Sequence, residues 1–351
     1  LGHLSEVVAF LNGETDARKP ETGGNAFTRP DHSISPADFS EVKGQAVVKR
    51  AMLIAASGRH NLLLVGPPGS GKSMMARRLP SILPPMSLEE SLQTTRIYSV
   101  AGKVSAEKGL IRLRPFRTPH HSSSNIAMIG GGSSPQPGEI SLAHNGVLFL
   151  DELPEFKRPV LEVMRQPLEE REIHISRAAY RVVYPSDFML VAAMNPCEDA
   201  FAGLSSAPVE CTDQQRFQYY AKLSRPLMDR IDIQIEVPRV EFQEILGSKS
   251  SEASRTIRKR IMRARQRQLE RLKDAGLLCN AQMRNREVKR FCSVSGTTRK
   301  LLQAAVDRLG FSARAFHRVL KVARTIADLD ESEEIGEQHV SEAIQYRTLD
   351  R

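Results

Sequence analysis

Residues 66 to 73 read Gly66-Pro67-Pro68-Gly69-Ser70-Gly71-Lys72-Ser73, which is the pattern GxxxxGK[ST]. The apolar run from Asn61 to Val65 precedes this loop, as expected of a buried parallel strand, and helix-forming residues follow it from Met74 onward. Glycines let backbone N–H groups wrap around a phosphate, and the helix N-terminus adds positive potential. Strand, loop and helix together predict a nucleotide phosphate site in an α/β fold.

A second apolar run, Val147 to Leu150, is followed directly by Asp151 and Glu152. Because ligands bind at the carboxyl ends of strands in open parallel sheets, we expect both carboxylates beside the loop. Asp151 is predicted to hold Mg²⁺ through its water shell, and Glu152 to orient and deprotonate the attacking water. Two solvated acids at the end of a strand are the alternative, but the order of the two motifs favours the catalytic interpretation.

ATP and Mg²⁺ are therefore the expected cofactors. In this motif the lysine reaches the β- and γ-phosphates, and the following hydroxyl binds Mg²⁺ together with the acid of the second strand. The residues predicted to bind the nucleotide are Gly66, Pro67, Pro68, Gly69, Ser70, Gly71, Lys72, Ser73 and Asp151, of which Ser73 and Asp151 hold the metal.

A third apolar strand, Phe188 to Met194, ends at Asn195-Pro196. A polar side chain at this tip would lie between the two phosphate-site strands and contact the γ-phosphate or the water. Asn before Pro also begins turns, and the two roles are compatible.

Composition indicates an ordinary soluble protein. The chain has 351 residues, of which 40% are hydrophobic and 26% charged, a length that suggests about two domains. No apolar run is long enough to span a membrane, and no signal peptide is recognisable. Its cysteines are sparse and irregularly spaced, which argues against a disulfide framework and for a reducing compartment such as the cytoplasm: Cys197, Cys211, Cys279 and Cys292.

Periodicity divides the chain into three predicted parts. Residues 1–36 hold the end of a helix and a Gly- and Pro-rich linker, and because the chain begins at Leu1 rather than Met we expect a fragment of a longer protein. Residues 37–238 begin with a helix over 38–58 and then alternate strands and helices, which predicts a parallel sheet with helices on both faces. Residues 239–351 are predicted to be helical only, over 252–275, 281–293, 297–309, 312–328 and 337–346.

These segments resemble the Mg-chelatase-like YifB/ComM family of AAA+ proteins over nearly the whole chain. The resemblance is carried by GPPGSGKS, PFRTPHH at 115–121, VLFLDELPEF at 147–156, AAMNPC at 192–197 and LMDRID at 227–232. It implies an AAA+ core with a helix-2 insert and a pre-sensor-1 hairpin, followed by a helical lid. It also implies a hexameric ATP-driven motor that acts on DNA, since ComM members are similar to branch-migration helicases that help integrate incoming DNA during natural transformation.

The resemblance also assigns roles to single residues. By motif, Asn195 is the first sensor, Arg230 an arginine finger for a neighbouring subunit, and Arg314 the second sensor on the lid, acting either in its own subunit or in the next. From the sequence alone Arg230 would support only a salt bridge. The family's zinc-binding insert has two Cys-x-Cys pairs, whereas only Cys197 and Cys211 remain here, so we expect no zinc.

Two basic segments are predicted to contact DNA, and a formal net charge of +9 is compatible with such a partner. Residues 103–140 contain Arg112 and Arg114, while residues 171–187 predict two strands around a turn, with Arg177 and Arg181. In related motors, inserts at these places project into the pore of the ring. The four arginines are therefore predicted to bind phosphates of single-stranded or branched DNA, with a solvated hairpin as the alternative.

Three functions stay open from the sequence. The first is an ATP-driven helicase of the ComM type, the second a chelatase-like motor that remodels a protein partner, and the third a non-catalytic DNA-binding scaffold. The complete set of Lys72, Ser73, Asp151, Glu152 and Asn195 argues against the scaffold, and PFRTPHH favours the helicase. The arginine-rich helix over 252–275 is interpreted as a solvated face.

Overall fold

The apolar runs of the sequence form the strands of a parallel sheet in the computed structural model. In chain order the strands are β1 Leu62–Val65, β2 Phe116–Arg117, β3 Gly130–Gly131, β4 Gln136–Pro137, β5 Val147–Leu150, β6 Glu172–Arg177, β7 Tyr180–Pro185, β8 Met189–Met194 and β9 Ile233–Glu236. The order of strands in the parallel sheet is β2-β5-β8-β1-β9, so that β1 lies between β8 and β9. Two further pairs are antiparallel: β3 with β4, and β6 with β7.

The structure describes residues 8, 12, 37–104, 109–132, 135–177, 180–201, 211–239, 252–309 and 311–347. The predicted N-terminal helix and linker, residues 1–36, lie outside the described residues apart from Val8 and Asn12. Residues 1–34 and residues 35–351 form separate units, and the sheet belongs to the second.

Both faces of the sheet are buried, as expected from central strands that are apolar at every position. Side chains alternate along β1: Leu62 and Leu64 enter one apolar cluster, whereas Leu63 and Val65 enter the other. Helices cover each face, which confirms the predicted α/β core. In chain order the helices are α1 Ala46–Gly58, α2 Lys72–Ile82, α3 Leu88–Val100, α4 Asn125–Ile129, α5 Glu139–Leu142, α6 Arg158–Val163, α7 Arg165–Glu170, α8 Cys197–Phe201, α9 Asp213–Ala221, α10 Arg225–Met228, α11 Ser254–Leu272, α12 Asn285–Phe291, α13 Gly296–Leu309, α14 Ala313–Leu329 and α15 Glu337–Gln345.

The five predicted C-terminal helices correspond to α11 through α15, so the helical character of this region is confirmed. The helix predicted over 38–58 begins later, at Ala46. Gly44 and Gln45 have φ angles of 61° and 53°, and this left-handed backbone separates α1 from a 3₁₀ turn at Phe39–Glu41. Among the described residues, no helix is long and apolar enough to cross a membrane.

The C-terminal helices, called the lid here (residues 252–347), pack on α1 and share the apolar cluster on one face of the sheet. Ile261 of α11 and Val319 of α14 are fully buried in the same cluster as Met52 of α1. The His60 ring nitrogen Nε2 lies 2.8 Å from the Thr325 hydroxyl of α14. The lid thus covers the edge of the sheet from which β1 starts. The domain boundary between residues 238 and 239 stays a prediction.

Asp232 is the main ionic contact between this edge and the lid. Its carboxylate accepts a hydrogen bond from Arg318 Nη1 at 2.7 Å and one from the Asn61 backbone N–H at 3.1 Å. His60 Nδ1 lies 3.4 Å from the second carboxylate oxygen. Burial works to raise the pKa of Asp232, but Arg318 and His60 outweigh it and hold that pKa well below its usual range.

Replacing the buried Asp232 by asparagine should lower the free energy of unfolding by about 3 kcal/mol, because it leaves the partly buried Arg318 without its carboxylate. A depressed pKa means that this stabilisation is complete above the unfolded-state value of about 4 and is lost as the pH falls toward the folded-state value. Denaturant unfolding at neutral and acidic pH measures both effects. Asp229→Asn, in the same segment, is the control, and equal stability of the two variants would contradict this role.

Candidate ATPase site

The phosphate-binding loop connects the end of β1 to the first turn of α2. Gly69 and Gly71 have φ angles of 77° and 89°, a left-handed conformation that glycine adopts without strain. A Cβ atom on Gly66 would lie 2.2 Å from the carbonyl oxygen of Val237, so a larger residue does not fit there. The loop is therefore shaped by its glycines, as the motif predicts.

Lys72 points into this loop, and its side chain is buried. The ammonium donates to the Pro67 carbonyl at 2.9 Å and to Asn195 Oδ1 at 3.1 Å. Burial lowers the pKa of Lys72, and the nearby carboxylates of Asp151 and Asp199 oppose that effect. The adjacent strands β1 and β8 thus bring together the motif lysine and the predicted sensor asparagine.

Ser73 and Asp151 meet at the same edge of the sheet. The Ser73 hydroxyl donates to Asp151 Oδ2 at 2.5 Å. A hydroxyl and a carboxylate oxygen are ligands that Mg²⁺ accepts, and Mg²⁺ usually keeps several waters and binds phosphate oxygens as well. In the part of the chain that the structure describes, no group of three or more His, Cys, Asp and Glu is arranged to hold a metal without such additional ligands. The residues present therefore fit a Mg²⁺ shared with a nucleotide.

Glu152 follows Asp151 with an exposed side chain and a φ angle of 52°. Its backbone N–H donates to Asp151 Oδ1 at 3.0 Å, and its carboxylate lies 3.3 Å from Nδ1 of His121. The sequence predicts no partner for Glu152, and it marks His121 only as part of PFRTPHH and of the basic segment 103–140. The contact arises because β2 and β5 pair in parallel, with Phe116 opposite Val147, so that residues following the two strands lie side by side.

Tyr219 is a second residue of the site that the sequence did not predict. Its hydroxyl, from α9, donates to the backbone carbonyl of Asn195 at 2.7 Å and is positioned to hold the end of β8. The segment between α8 and α9 shows no pattern that would have predicted this return to the site.

Arg230 and Arg314 lie at the opposite edge of the sheet. Ile233 pairs with Leu62, so Arg230 precedes β9 at the edge where β1 begins, whereas the phosphate-binding loop follows Val65. Four residues of strand separate these edges by about 13 Å. Arg314 is exposed in the first turn of α14, one turn before Arg318, and acts electrostatically on Arg230. Neither arginine reaches Lys72 of its own chain.

The four arginines predicted to contact DNA differ in their exposure to solvent. Arg181 is exposed on β7, in the hairpin of β6 and β7 that the sequence predicts. Arg177 ends β6 and its side chain lies outside the described residues, while Arg112 is half-buried. Arg114 requires a correction: only 10% of its side chain is exposed, and its guanidinium binds both carboxylate oxygens of Glu90 and the carbonyl of Asn145. This arginine joins α3 to the core and offers no free charge to DNA.

The arginine-rich helix α11 is partly structural. Arg258 donates to the carbonyl of Ser81, Arg265 to the carbonyl of Leu278, and Arg271 to the carboxylate of Asp328. These contacts bind α11 to the core and to the rest of the lid, so these three arginines are not part of the solvated face that the sequence predicts.

The cysteines also differ from expectation. The sequence predicts reduced cysteines, whereas the structure joins Cys197 and Cys211 in a disulfide. Cys197 begins α8 directly after the Asn195 tip, and Cys211 precedes the Thr212 cap of α9. Their separation of 14 residues gave no sign that both segments return to the same point. The absence of zinc stays a prediction, which metal analysis of purified protein tests.

Comparison with protein families gives two matches that together cover most of the described chain. Residues 38–245 match the family "Magnesium chelatase, subunit ChlI", and residues 251–347 match "Magnesium chelatase, subunit ChlI C-terminal". Both matches are consistent with the parallel sheet and the helical lid.

Curated relatives extend the likeness to nearly the full length. The chain is 44% identical to "Uncharacterized protein YifB" of Escherichia coli, over 99% of this chain and 67% of that protein. It is 42% identical to "Competence protein ComM" of Haemophilus influenzae over the same shares. The likeness to "Magnesium-chelatase 38 kDa subunit" of Cereibacter sphaeroides is 25%, over 46% of this chain and 54% of that protein.

Proposed function

Because the chain belongs to the Mg-chelatase-like YifB/ComM family of AAA+ proteins, we propose that it is an ATP-driven DNA motor of the ComM type. The observation that carries this proposal is the joint placement of Lys72 with Asn195 and of Ser73 with Asp151, with Glu152 beside them. It is the arrangement that phosphoryl transfer from ATP to water requires.

The chain's own residues divide the work of hydrolysis. Lys72 and the loop N–H groups hold the β- and γ-phosphates, and Ser73 and Asp151 hold Mg²⁺, which neutralises charge on the phosphates when bound. Glu152 takes a proton from the attacking water, and His121 fixes where that carboxylate points. Asn195 orients the water or the γ-phosphate from the tip of β8.

The positions of Arg230 and Arg314 support the proposal of a ring of subunits. Both lie at the edge of the sheet remote from their own loop, so they serve a nucleotide only across a subunit boundary. This placement favours action in the next subunit for both residues. Closed rings form when such head-to-tail contacts repeat, and we propose a hexamer.

The substrate is proposed to be single-stranded or branched DNA, with branch migration during transformation and recombination as the biological activity. The exposed Arg181 on the hairpin supports it, as does the similarity to a relative named a competence protein. Arg177 and Arg112 stay proposed contacts. Stimulation of ATP hydrolysis by single-stranded DNA tests the proposal: we expect a several-fold rise, and no rise would reject DNA as the substrate.

Replacing Arg181 by alanine should weaken binding of single-stranded DNA equally for different sequences. One lost phosphate contact should also reduce the slope of log K against log salt by roughly one. Fluorescence anisotropy at several salt concentrations measures both quantities. Arg263→Ala, an exposed arginine on α11, is the control, and an equal loss in that variant would locate DNA elsewhere.

A chelatase-like motor that remodels a protein partner is the second candidate. The partial likeness to a magnesium-chelatase subunit supports it. The two functions differ in one measurement, since such a motor would hydrolyse ATP at a rate indifferent to DNA.

A further inference from the structure

Arg230 is held inside its own chain. Only 7% of its side chain is exposed, and Nη2 donates to the carboxylate of Glu169 while Nη1 donates to the carbonyl of Pro226. Glu169, in contrast, is 56% exposed at its side chain. The pair therefore joins a buried guanidinium to a carboxylate at the surface.

A guanidinium that is buried and bound to Glu169 and to the Pro226 carbonyl is not presented at the surface, where a phosphate of another subunit would approach. To act as an arginine finger, Arg230 must leave the Glu169 carboxylate and bind a nucleotide phosphate of the neighbouring subunit instead. Building on the proposed function, we propose that Glu169 is a positioning residue that withholds Arg230, and that its release is linked to the hairpin of β6 and β7.

The charges around Arg230 explain why the carboxylate matters. Burial lowers the pKa of Arg230, the Glu169 carboxylate opposes that effect, and the cations Arg165, Arg318 and Arg314 add to it. Because these cations repel Arg230, the Glu169 carboxylate is needed to keep its guanidinium in place. A phosphate group offers more negative charge than one carboxylate, so it competes with Glu169 for the same guanidinium.

Glu169 lies close in the chain to the start of the hairpin. It belongs to the last turn of α7, and Arg171 follows as the left-handed residue from which β6 begins. The Ser186 N–H, at the other end of the hairpin, donates to the Arg171 carbonyl at 2.8 Å. Asp187 accepts a hydrogen bond from Gln282 of the lid at 3.1 Å. Because Arg171 directly follows α7 and is bonded to the far end of the hairpin, a displacement of the hairpin would reach α7 and Glu169 through this residue.

The test compares Glu169→Gln with Glu170→Gln. The neighbouring Glu170 is exposed and accepts from Gln166 Nε2 at 2.6 Å rather than from Arg230, so its variant should behave as wild type. ATP turnover is measured with and without saturating single-stranded DNA, at concentrations where rings are shown to form. Glu169→Gln should raise ATP turnover without DNA roughly 2- to 5-fold, because losing a half-exposed ion pair shifts the equilibrium between held and released Arg230 by about that factor. The KM for ATP should not change.

With DNA present, Glu169→Gln should match wild type, so the stimulation ratio falls. The gain must also disappear in the double variant Glu169→Gln, Arg230→Ala, because it acts through Arg230. Turnover without DNA that is unchanged or lower in Glu169→Gln would overturn the withholding role. An unchanged stimulation ratio would overturn the link to the hairpin. If wild type ignores DNA altogether, the proposed function fails, while the DNA-free rates still decide the role of Glu169.

Discussion

Glu152→Gln should bind ATP with nearly wild-type affinity and hydrolyse it about 10²- to 10⁴-fold more slowly, the range that a positioned general base contributes. The amide keeps the shape of the side chain but cannot accept the proton of the attacking water. Because ATP then stays bound, the variant should also hold the ring on DNA. Single-turnover hydrolysis and nucleotide titration measure the two effects separately.

Two further variants serve as controls, one that should lose ATP binding and one that should behave as wild type. Lys72→Ala should lose ATP binding itself, because the charge on the β- and γ-phosphates is gone. Glu155→Gln changes an acid in the same LPEF segment that pairs with Lys222 at the surface, and it should hydrolyse ATP normally. Wild-type turnover in Glu152→Gln would show that another group deprotonates the water.

Arg230→Ala should keep ATP affinity within a few fold and lose roughly 10³- to 10⁵-fold in turnover, the contribution of arginine fingers to phosphoryl transfer. The loss should be in kcat rather than in KM, because a finger acts on charge that develops in the transition state. Arg230 precedes the edge of the sheet where β1 begins, about 13 Å from the edge that carries the loop of its own chain, so we assign the missing charge to a neighbour's site.

Mixing two inactive variants distinguishes a finger from a structural arginine. In a mixed ring, a Lys72→Ala subunit still offers Arg230 to the intact nucleotide site of an Arg230→Ala subunit next to it. Part of the activity should therefore return when the two proteins are combined. Mixed rings that form and stay inactive would mean that Arg230 acts within its own subunit or only supports the fold.

Much of the core was predictable because its signals are local. The apolar strands before Gly66, Asp151 and Asn195 are read from the sequence directly, and parallel pairing then brings their carboxyl ends to one edge. The predicted place of Asn195 beside the phosphate-binding loop agrees with its contact to Lys72, since β8 pairs with β1. The five lid helices were equally evident from periodicity.

What the sequence did not reveal depends on packing between distant segments. Arg114 looks like a free surface cation, but Glu90 and the Asn145 carbonyl surround it in the folded chain. The pairing of Arg230 with Glu169 likewise joins residues whose spacing carries no pattern. Helix α1 starts later than predicted because Gly44 and Gln45 have a left-handed backbone. Glutamine rarely adopts this conformation, so the sequence did not indicate it.

Branch migration on a three-strand junction tests the central claim most directly. Purified protein is incubated with a labelled junction, Mg²⁺ and ATP, and release of the displaced strand is followed over time. A DNA motor of this kind should release the strand only with hydrolysable ATP, and the release should be lost in Lys72→Ala, Glu152→Gln and Arg230→Ala. Active ATP hydrolysis with no strand release, and at a rate that DNA leaves unchanged, would contradict a DNA motor and favour a motor that acts on protein.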